Sequence, residues 1–415
     1  MKKVPNLRFK EFSGEWESKP LGELDVVLTR GPFGSALKKE IMVPKEDNTY
    51  KVYEQKHAIQ KDSNIGEYYI SELKYKELIR FSVSPGDFIM SCSGTIGEIF
   101  KIPQNAERGV INQALLKFSV GKSINEDFFL YSFRKNLQNL ETKGSGIKNI
   151  TSVKFLKDEF IISFPKIEEQ EKLASFFSLI DKEIELQTEK VEELKNYKKG
   201  LLQKIFSQEL RFKDENGNEY PEWEEKTLQQ IGFTYAGLSG KTKEDFGFGN
   251  GSFVTYINVF RNTLAKRMIE QVNISEQENQ NPVLKGDLLF TTSSETPNEV
   301  GMVSCWDYEI KNLYLNSFCF GYRIYNHNSY SPIFLAYMLR SGEYRKKISI
   351  LAQGSTRYNI SKTELMKMKV QCPCMEEQQK IVALLLNLEL KTEEEQNKLN
   401  ELLQYKKGLL QQMFI

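Results

Sequence analysis

The sequence predicts an α+β protein, with two strand-rich domains separated by two long antiparallel coiled-coil helices in a pseudo-two-fold, cyclic arrangement. Three observations predict it. The 415 residues are written as two copies of one framework. Each copy closes on a segment of about 40 residues whose apolar positions keep a four-three spacing. The remainder carries short apolar runs punctuated by turn residues, the pattern of strands rather than long helices.

The repeat comes first, because a missed repeat misassigns the whole fold. Leu7-Arg8-Phe9-Lys10 returns as Leu210-Arg211-Phe212-Lys213, and Glu15-Trp16 returns as Glu222-Trp223. Pro85-Gly86-Asp87-Phe88-Ile89 is echoed by Lys285-Gly286-Asp287-Leu288-Leu289. The turn from Lys143 to Ile150 (KGSGIKNI) is echoed by Gln353 to Ile360 (QGSTRYNI). Tyr197-Lys198-Lys199-Gly200-Leu201-Leu202-Gln203 recurs as Tyr405-Lys406-Lys407-Gly408-Leu409-Leu410-Gln411. The sequence stops where a third LRFK would follow, and that segment stands at the N-terminus instead. Such a cyclic order predicts neighbouring termini.

The helical segments span 166–206 and 373–415. In the first, Leu173, Phe177, Ile180, Ile184, Val191, Leu194, Leu201 and Ile205 form the apolar stripe, with Gln187 and Lys198 as polar interruptions. In the second the stripe is Ile381, Leu385, Leu388, Leu399, Leu402, Leu409 and Met413, interrupted at Thr392, Glu395 and Lys406. Pro165 and Pro373 precede them, and Glu168-Glu169 and Glu376-Glu377 put negative charge in the first turn, where the helix dipole favours it. Each stripe is narrow, so mutual antiparallel pairing is expected over separate packing on the domains.

The segments 1–165 and 207–372 are then the two domains. Phe81–Met90, Lys285–Thr292 and Phe318–Tyr325 read as strands. Asp127–Lys135 and Pro332–Ser341 read as short helices carrying matched Tyr-x-x-Arg motifs (Tyr131 to Arg134, Tyr337 to Arg340). Between the landmarks the copies diverge, most strongly at 30–80 against 235–280.

Composition narrows the class. Apolar residues make up 40% and charged residues 27%, with a net charge of +1, the balance of a soluble globular protein. The N-terminus has no apolar stretch behind it, no segment reaches membrane-span length, and the five cysteines show no framework spacing, so a cytoplasmic protein is expected. Outside the helical segments the chain is only slightly basic, which supports a polyanion partner weakly.

Enzyme readings fail on their motifs. Gly240-Lys241-Thr242 imitates the end of a phosphate loop, but Tyr235 stands where the earlier glycine belongs. Asp87 and Glu98 resemble a nuclease pair, yet Phe100 replaces the usual following lysine, and Gly86-Asp87 is simply a turn. His57 and His327, the only histidines, fall in different copies and offer no triad or zinc set. Cys372-Pro373-Cys374 lacks a second ligand pair, and no N/D-P-P-Y/F segment of an adenine methyltransferase is present.

Two diverged domains, each followed by a near-identical helix ending in YKKGLLQ and entered through LRFK…EW, resemble the specificity subunit of type I restriction-modification systems. The Gly-Asp strand, the G-S…N-I turn and the EEQ(E/Q)K helix starts share the resemblance, which covers the whole chain. It implies two target recognition domains, each reading half of a split double-stranded DNA site in the major groove. It also implies that the helices set the gap and dock two methyltransferase subunits. Those partners would methylate adenine with S-adenosylmethionine, and restriction subunits, motor-nucleases using ATP and magnesium, would translocate and cleave. This chain would hold no cofactor and no metal. Because the domains diverge, the two half-sites should differ.

Base reading needs Arg, Lys, Asn, Gln, His, Ser or Thr on loops that can enter a groove. In the first domain the candidates are Arg30, Ser35, Lys38, Gln55, Lys56, His57, Ser93, Thr95 and Lys148. In the second they are Lys241, Lys243, Asn258, Arg261, Ser293, Ser294 and Arg357. Lys148 and Arg357 lead, because both sit in the repeated Gly-Ser turn. The competing class is a non-catalytic protein-binding adaptor with duplicated domains on a helical rod. Divergence of the domains beside preserved helices favours DNA reading.

Overall fold

A computed structural model describes residues 3–142 and 152–415. It divides into two compact units, 1–188 with 398–415, and 189–397. Each unit therefore takes one stretch of each long helix.

Both units repeat one sheet topology. In the first, a four-stranded sheet runs in the order Val26–Arg30, Leu115–Val120, Phe88–Ser91, Ile99–Lys101. In the second the order is Gly232–Ala236, Cys319–Ile324, Leu288–Thr291, Val303–Cys305. The neighbouring sheet also recurs. Thr49–Tyr53 pairs antiparallel with Tyr69–Ser71 and parallel with Gly109–Ile111, as Phe246–Val254 pairs with Ile269–Val272 and Leu313–Leu315. The central strands Phe88–Ser91 and Leu288–Thr291 are buried along their whole length, which explains why they read as continuous apolar runs.

The turn before each central strand shows why Gly-Asp is retained. Gly86 and Gly286 adopt φ of +89° and +88°, where a side chain is strained. Asp87 accepts the backbone N–H of Ser84 at 2.8 Å, and Asp287 accepts that of Leu284 at 2.8 Å. Asp87 also accepts the Ser119 hydroxyl at 2.6 Å, so its carboxylate ties the turn to the neighbouring strand.

The long helices run Ile167–Phe206 and Met375–Met413, 40 and 39 residues, or roughly 60 Å each at 1.5 Å per residue. They pair antiparallel within each unit. In the second unit Lys190 meets Glu395 at 2.8 Å, and Lys198 meets Glu389 further along. In the first unit Asp181 pairs with Lys406, while Leu173 and Phe177 share an apolar core with Leu409, Met413 and Phe414. The chain ends lie side by side in that unit: the Leu7 N–H donates to the Gln412 carbonyl at 3.0 Å.

The expected strands in 285–292 and 318–325 are present, whereas 81–90 divides at the Gly-Asp turn into Ser82–Val83 and Phe88–Ser91, which belong to different sheets. The first short helix runs on to Glu126–Thr142 and the second spans Pro332–Arg340. Among the described residues no helix is long and apolar enough to cross a membrane.

Candidate nucleic-acid interface

In both units several candidates gather at one topological place, the loop leaving the central strand and a short helix beside it, while Ser35, Lys38, Lys241 and Lys243 lie on other segments. In the first unit these are Cys92–Thr95 and the helix Gln55–Gln60, and in the second Thr292–Glu295 and the helix Tyr256–Arg261. The backbone fixes the equivalence. The Cys92 N–H donates to Ala114 O at 2.8 Å, and the Thr292 N–H donates to Phe318 O at 2.9 Å, so Ser93 corresponds to Ser293. Likewise Asn112 N–H bonds to Tyr53 O and Asn316 N–H to Val254 O, so Gln55 corresponds to Tyr256.

Ser93 and Thr95 are exposed on the first unit's loop. Gln55 lies against it, since a side chain added at Gly94 would come within 3.5 Å of the Gln55 amide. Arg30 lies beside Cys92 at the start of this loop: burial pushes the Cys92 thiol up to about 11, while the Arg30 guanidinium opposes that shift. Ser35 and Lys38 are exposed around the following 3-10 turn, next to Phe33, which is 90% exposed. Lys56 pairs with Glu54 at 2.9 Å and covers the Tyr68 ring. Lys148 lies outside the described residues.

The second unit presents an open groove of about 600 Å³. Tyr256 and Phe260, stacked with centroids 5.9 Å apart, line it with Ser293, Ser294, Glu295 and Arg357. Arg357 is exposed, its guanidinium 5.4 Å from the centroid of the half-exposed Phe318 ring. Pairing of Ser293–Ser294 with Tyr358–Asn359 brings the repeated Gly-Ser turn to this groove. Lys243 and Arg261 are exposed.

Five candidates are corrected. Ser293 and Ser294 are buried, 4% and 9% exposed; the Ser294 hydroxyl is taken by Glu299 at 3.2 Å and the Ser293 carbonyl accepts the Tyr256 hydroxyl at 2.7 Å. His57 and Asn258 are both fully buried and occupy equivalent helix positions. His57 Nε2 meets the Ile65 carbonyl at 2.7 Å, and Asn258 Nδ2 donates to the Lys266 carbonyl at 2.7 Å. Each therefore holds the loop eight residues on and has no free edge for a base. Burial also drives the His57 imidazole below its ordinary value, keeping it neutral. Lys241 is consumed internally, donating to Asn273 O and Glu278 at 2.6 Å each, and it holds the Glu278 carboxyl at about 2.

Preserved motifs turn out to be internal latches. The LRFK arginines grip the buried second glutamate of each EEQ: Arg8 reaches Glu169 at 2.8 and 2.7 Å, and Arg211 reaches Glu377 at 3.3 and 2.9 Å. The glutamines beside them accept the N–H of Asn125 (3.0 Å) and Ser331 (2.8 Å), fixing where the domain helices start. The Tyr-x-x-Arg tyrosines donate to the helix carboxylates, Tyr131 to Asp181 at 2.6 Å and Tyr337 to Glu389 at 3.1 Å. The same carboxylates take Lys406 and Lys198, whose ammonium groups lie 5.4 and 5.7 Å from the Tyr131 and Tyr337 ring centroids. Arg340 caps the carbonyls of Val303, Val259 and Phe260, and burial lowers it to about 10. Among the described residues no group of three His, Cys, Asp or Glu could hold a metal ion.

The model of the type I restriction modification DNA specificity domain matches residues 13–196 and again 220–404. The chain belongs to this family. It is a type I specificity subunit with two DNA specificity domains. This specificity subunit is 25% identical over 392 residues to the type I restriction enzyme MjaVIII specificity subunit of Methanocaldococcus jannaschii, covering 89% of this chain and 86% of the relative. An S subunit from M. genitalium shares its fold with a TM-score of 0.55 at 15% identity over 99% of both chains. A chain from a structure of type I R-M complex assembly and conformational transition matches with 0.58 at 16%, over 95% and 96%.

Proposed function

We propose that each domain, 1–165 and 207–372, reads one half of an asymmetric bipartite DNA site. In this reading the helices 166–206 and 373–415 set the spacer and dock two methyltransferase subunits, which in turn recruit restriction subunits. The observation that carries it is one framework presenting two different surfaces at the same two loops. Gln55 stands where the second unit has Tyr256, and Ser93 and Thr95 where it has the buried Ser293 and the exposed Glu295, while Arg30 stands at the register position of Ala236. A repeated scaffold with unlike readers suits unlike half-sites. Ser35, Lys38 and Lys56 extend the first surface, and Lys243, Arg261 and Arg357 the second, with phosphates as the natural partners of the outlying cations. Lys148 remains a candidate on the repeat alone.

Two identical partners require matched landing points. Tyr197 and Tyr405, equivalent in the repeat, are 60% and 58% exposed, and Leu179, Leu186 and Leu390 also face outward on the helices. Exposed tyrosine and leucine on paired helices suit protein docking. Methylation with S-adenosylmethionine, and cleavage with ATP and magnesium, are assigned to those partners in the cytoplasm, with no catalytic residue on this chain.

The test is selection from a randomised duplex pool by the complex assembled with its methyltransferase. Enrichment of two unlike half-sites at a fixed gap, with affinity falling steeply as salt rises, is expected. Failure to enrich any sequence by a fully assembled complex would remove the reading.

A further inference from the structure

The groove of the second unit holds opposite charges whose placement has a specific meaning against a polyanion. Arg357 is exposed and braced on Phe318, so its planar fork is partly ordered before any ligand arrives. Glu299, on the same groove, is tied down by the Ser294 hydroxyl at 3.2 Å and the Thr296 hydroxyl at 2.9 Å. Glu295 is different: it is exposed, and no hydrogen bond or ion pair engages it among the described residues. A free carboxylate at a DNA-facing groove is repelled by phosphates and is tolerated where it accepts a hydrogen bond from a base amino group. Cytosine N4 offers that donor in the major groove, and guanine O6 and N7 offer the paired acceptors that suit an arginine fork. Counted from the aligned Cys92 and Thr292, the first unit has the uncharged Thr95 at that position.

We propose that Arg357 and Glu295 are the specificity determinants for G·C recognition in the half-site read by the second domain, Arg357 taking guanine and Glu295 the amino group of cytosine. This rests on the DNA-reading function above. Tyr256 and Phe260 form the apolar wall that keeps the contacts out of bulk water.

The experiment measures affinity of the assembled complex for its selected duplex and for duplexes with each second-half-site base pair replaced in turn. It uses the natural chain, Arg357→Ala and Glu295→Ala. For the natural chain, replacing one G·C position should weaken binding roughly ten- to hundredfold, corresponding to about 1–3 kcal/mol of discrimination. With Arg357→Ala that replacement should no longer matter, while first-half-site replacements keep their full effect. Glu295→Ala should likewise abolish discrimination at a cytosine.

Three results overturn the proposal: a second half-site without a G·C pair, uniform weakening by Arg357→Ala with every preference intact, or Glu295→Ala that tightens binding without relaxing any position. The second pattern marks a phosphate contact, and its salt slope would fall by about one. In each of these the natural chain still selects a split site, so the function proposed above survives. Unchanged first-half-site preferences in Arg357→Ala and Glu295→Ala show that each variant complex is folded and assembled.

Discussion

Arg211→Met tests most sharply whether the repeated motifs act as latches. Glu377 is fully buried, and its carboxylate is held by Arg211, by Trp223 Nε1 at 3.2 Å and by the Phe212 N–H at 3.3 Å. Arg211 also donates to the carbonyls of Pro221 at 2.6 Å and Tyr220 at 3.2 Å. Removing one partner of a buried ion pair strands the other, at a cost of about 3–5 kcal/mol. The two remaining donors to Glu377 soften this, so about 3 kcal/mol is expected. For a unit of roughly two hundred residues that is a fall of roughly 6–12 °C in the melting transition of the second unit. Calorimetry of the full chain should show that transition moving while the first unit's holds. Replacing both partners by apolar residues, Arg211→Met with Glu377→Leu, should recover more than half of the loss, because no charge is then left buried. A single substitution costing under about 1 kcal/mol, or a double one no better than the single, would refute the latch.

Three further outcomes follow from the same physical reasoning. Lys198→Glu and Glu389→Lys should each destabilise the second unit, and together should restore about 1 kcal/mol in a double-mutant cycle, a modest figure because the pair is partly exposed. Additive losses would show that the ion pair does not fix the helix register. His57 is held neutral by burial, so its folded-state value lies below its ordinary 6.5. Its contribution is therefore fully present above that pH and is lost as pH falls toward the folded value. Melting curves from about pH 7 down to 5.5 should show this loss, and His57→Asn, which copies the second unit, should lack it. An identical pH dependence in both chains would contradict the assignment. Finally, Lys243→Ala or Arg261→Ala should weaken DNA binding uniformly and reduce the salt slope by about one, without changing the selected motif.

The repeat, the paired helices and the central strands were legible because their signals are local and written twice. Residues 7–10 and 210–213, or the two YKKGLLQ ends, announce equivalence without any knowledge of packing. The polar interruptions at Lys198, Lys406 and Glu395 were legible only as breaks in the stripe. Their purpose appears once the helices are antiparallel, since each finds its counter-charge on the other helix. Glu169 and Glu377 suited a dipole argument, yet their dominant partners are arginines more than 160 positions away. The exposure of the proposed reading residues was legible only in part. Sequence located the loops at Ser93 and Ser293, but could not tell an exposed Ser93 from a buried His57, because burial depends on which strands pair. Tyr256, Phe318 and Glu295 were missed, as divergence hid the alignment of Tyr256 with Gln55 that the backbone hydrogen bonds establish. Deeper still, Lys241 passed for a free cation because Glu278, its partner, stands across a strand pairing.

The most direct test of the central claim is mapping of adenine methylation in cells that express this chain with its methyltransferase, against cells that express the methyltransferase alone. The account predicts one new motif, present only with this chain, made of two unlike half-sites at a constant spacing. A palindromic motif, a motif unchanged by removing this chain, or no methylation from a complex shown to assemble would contradict it.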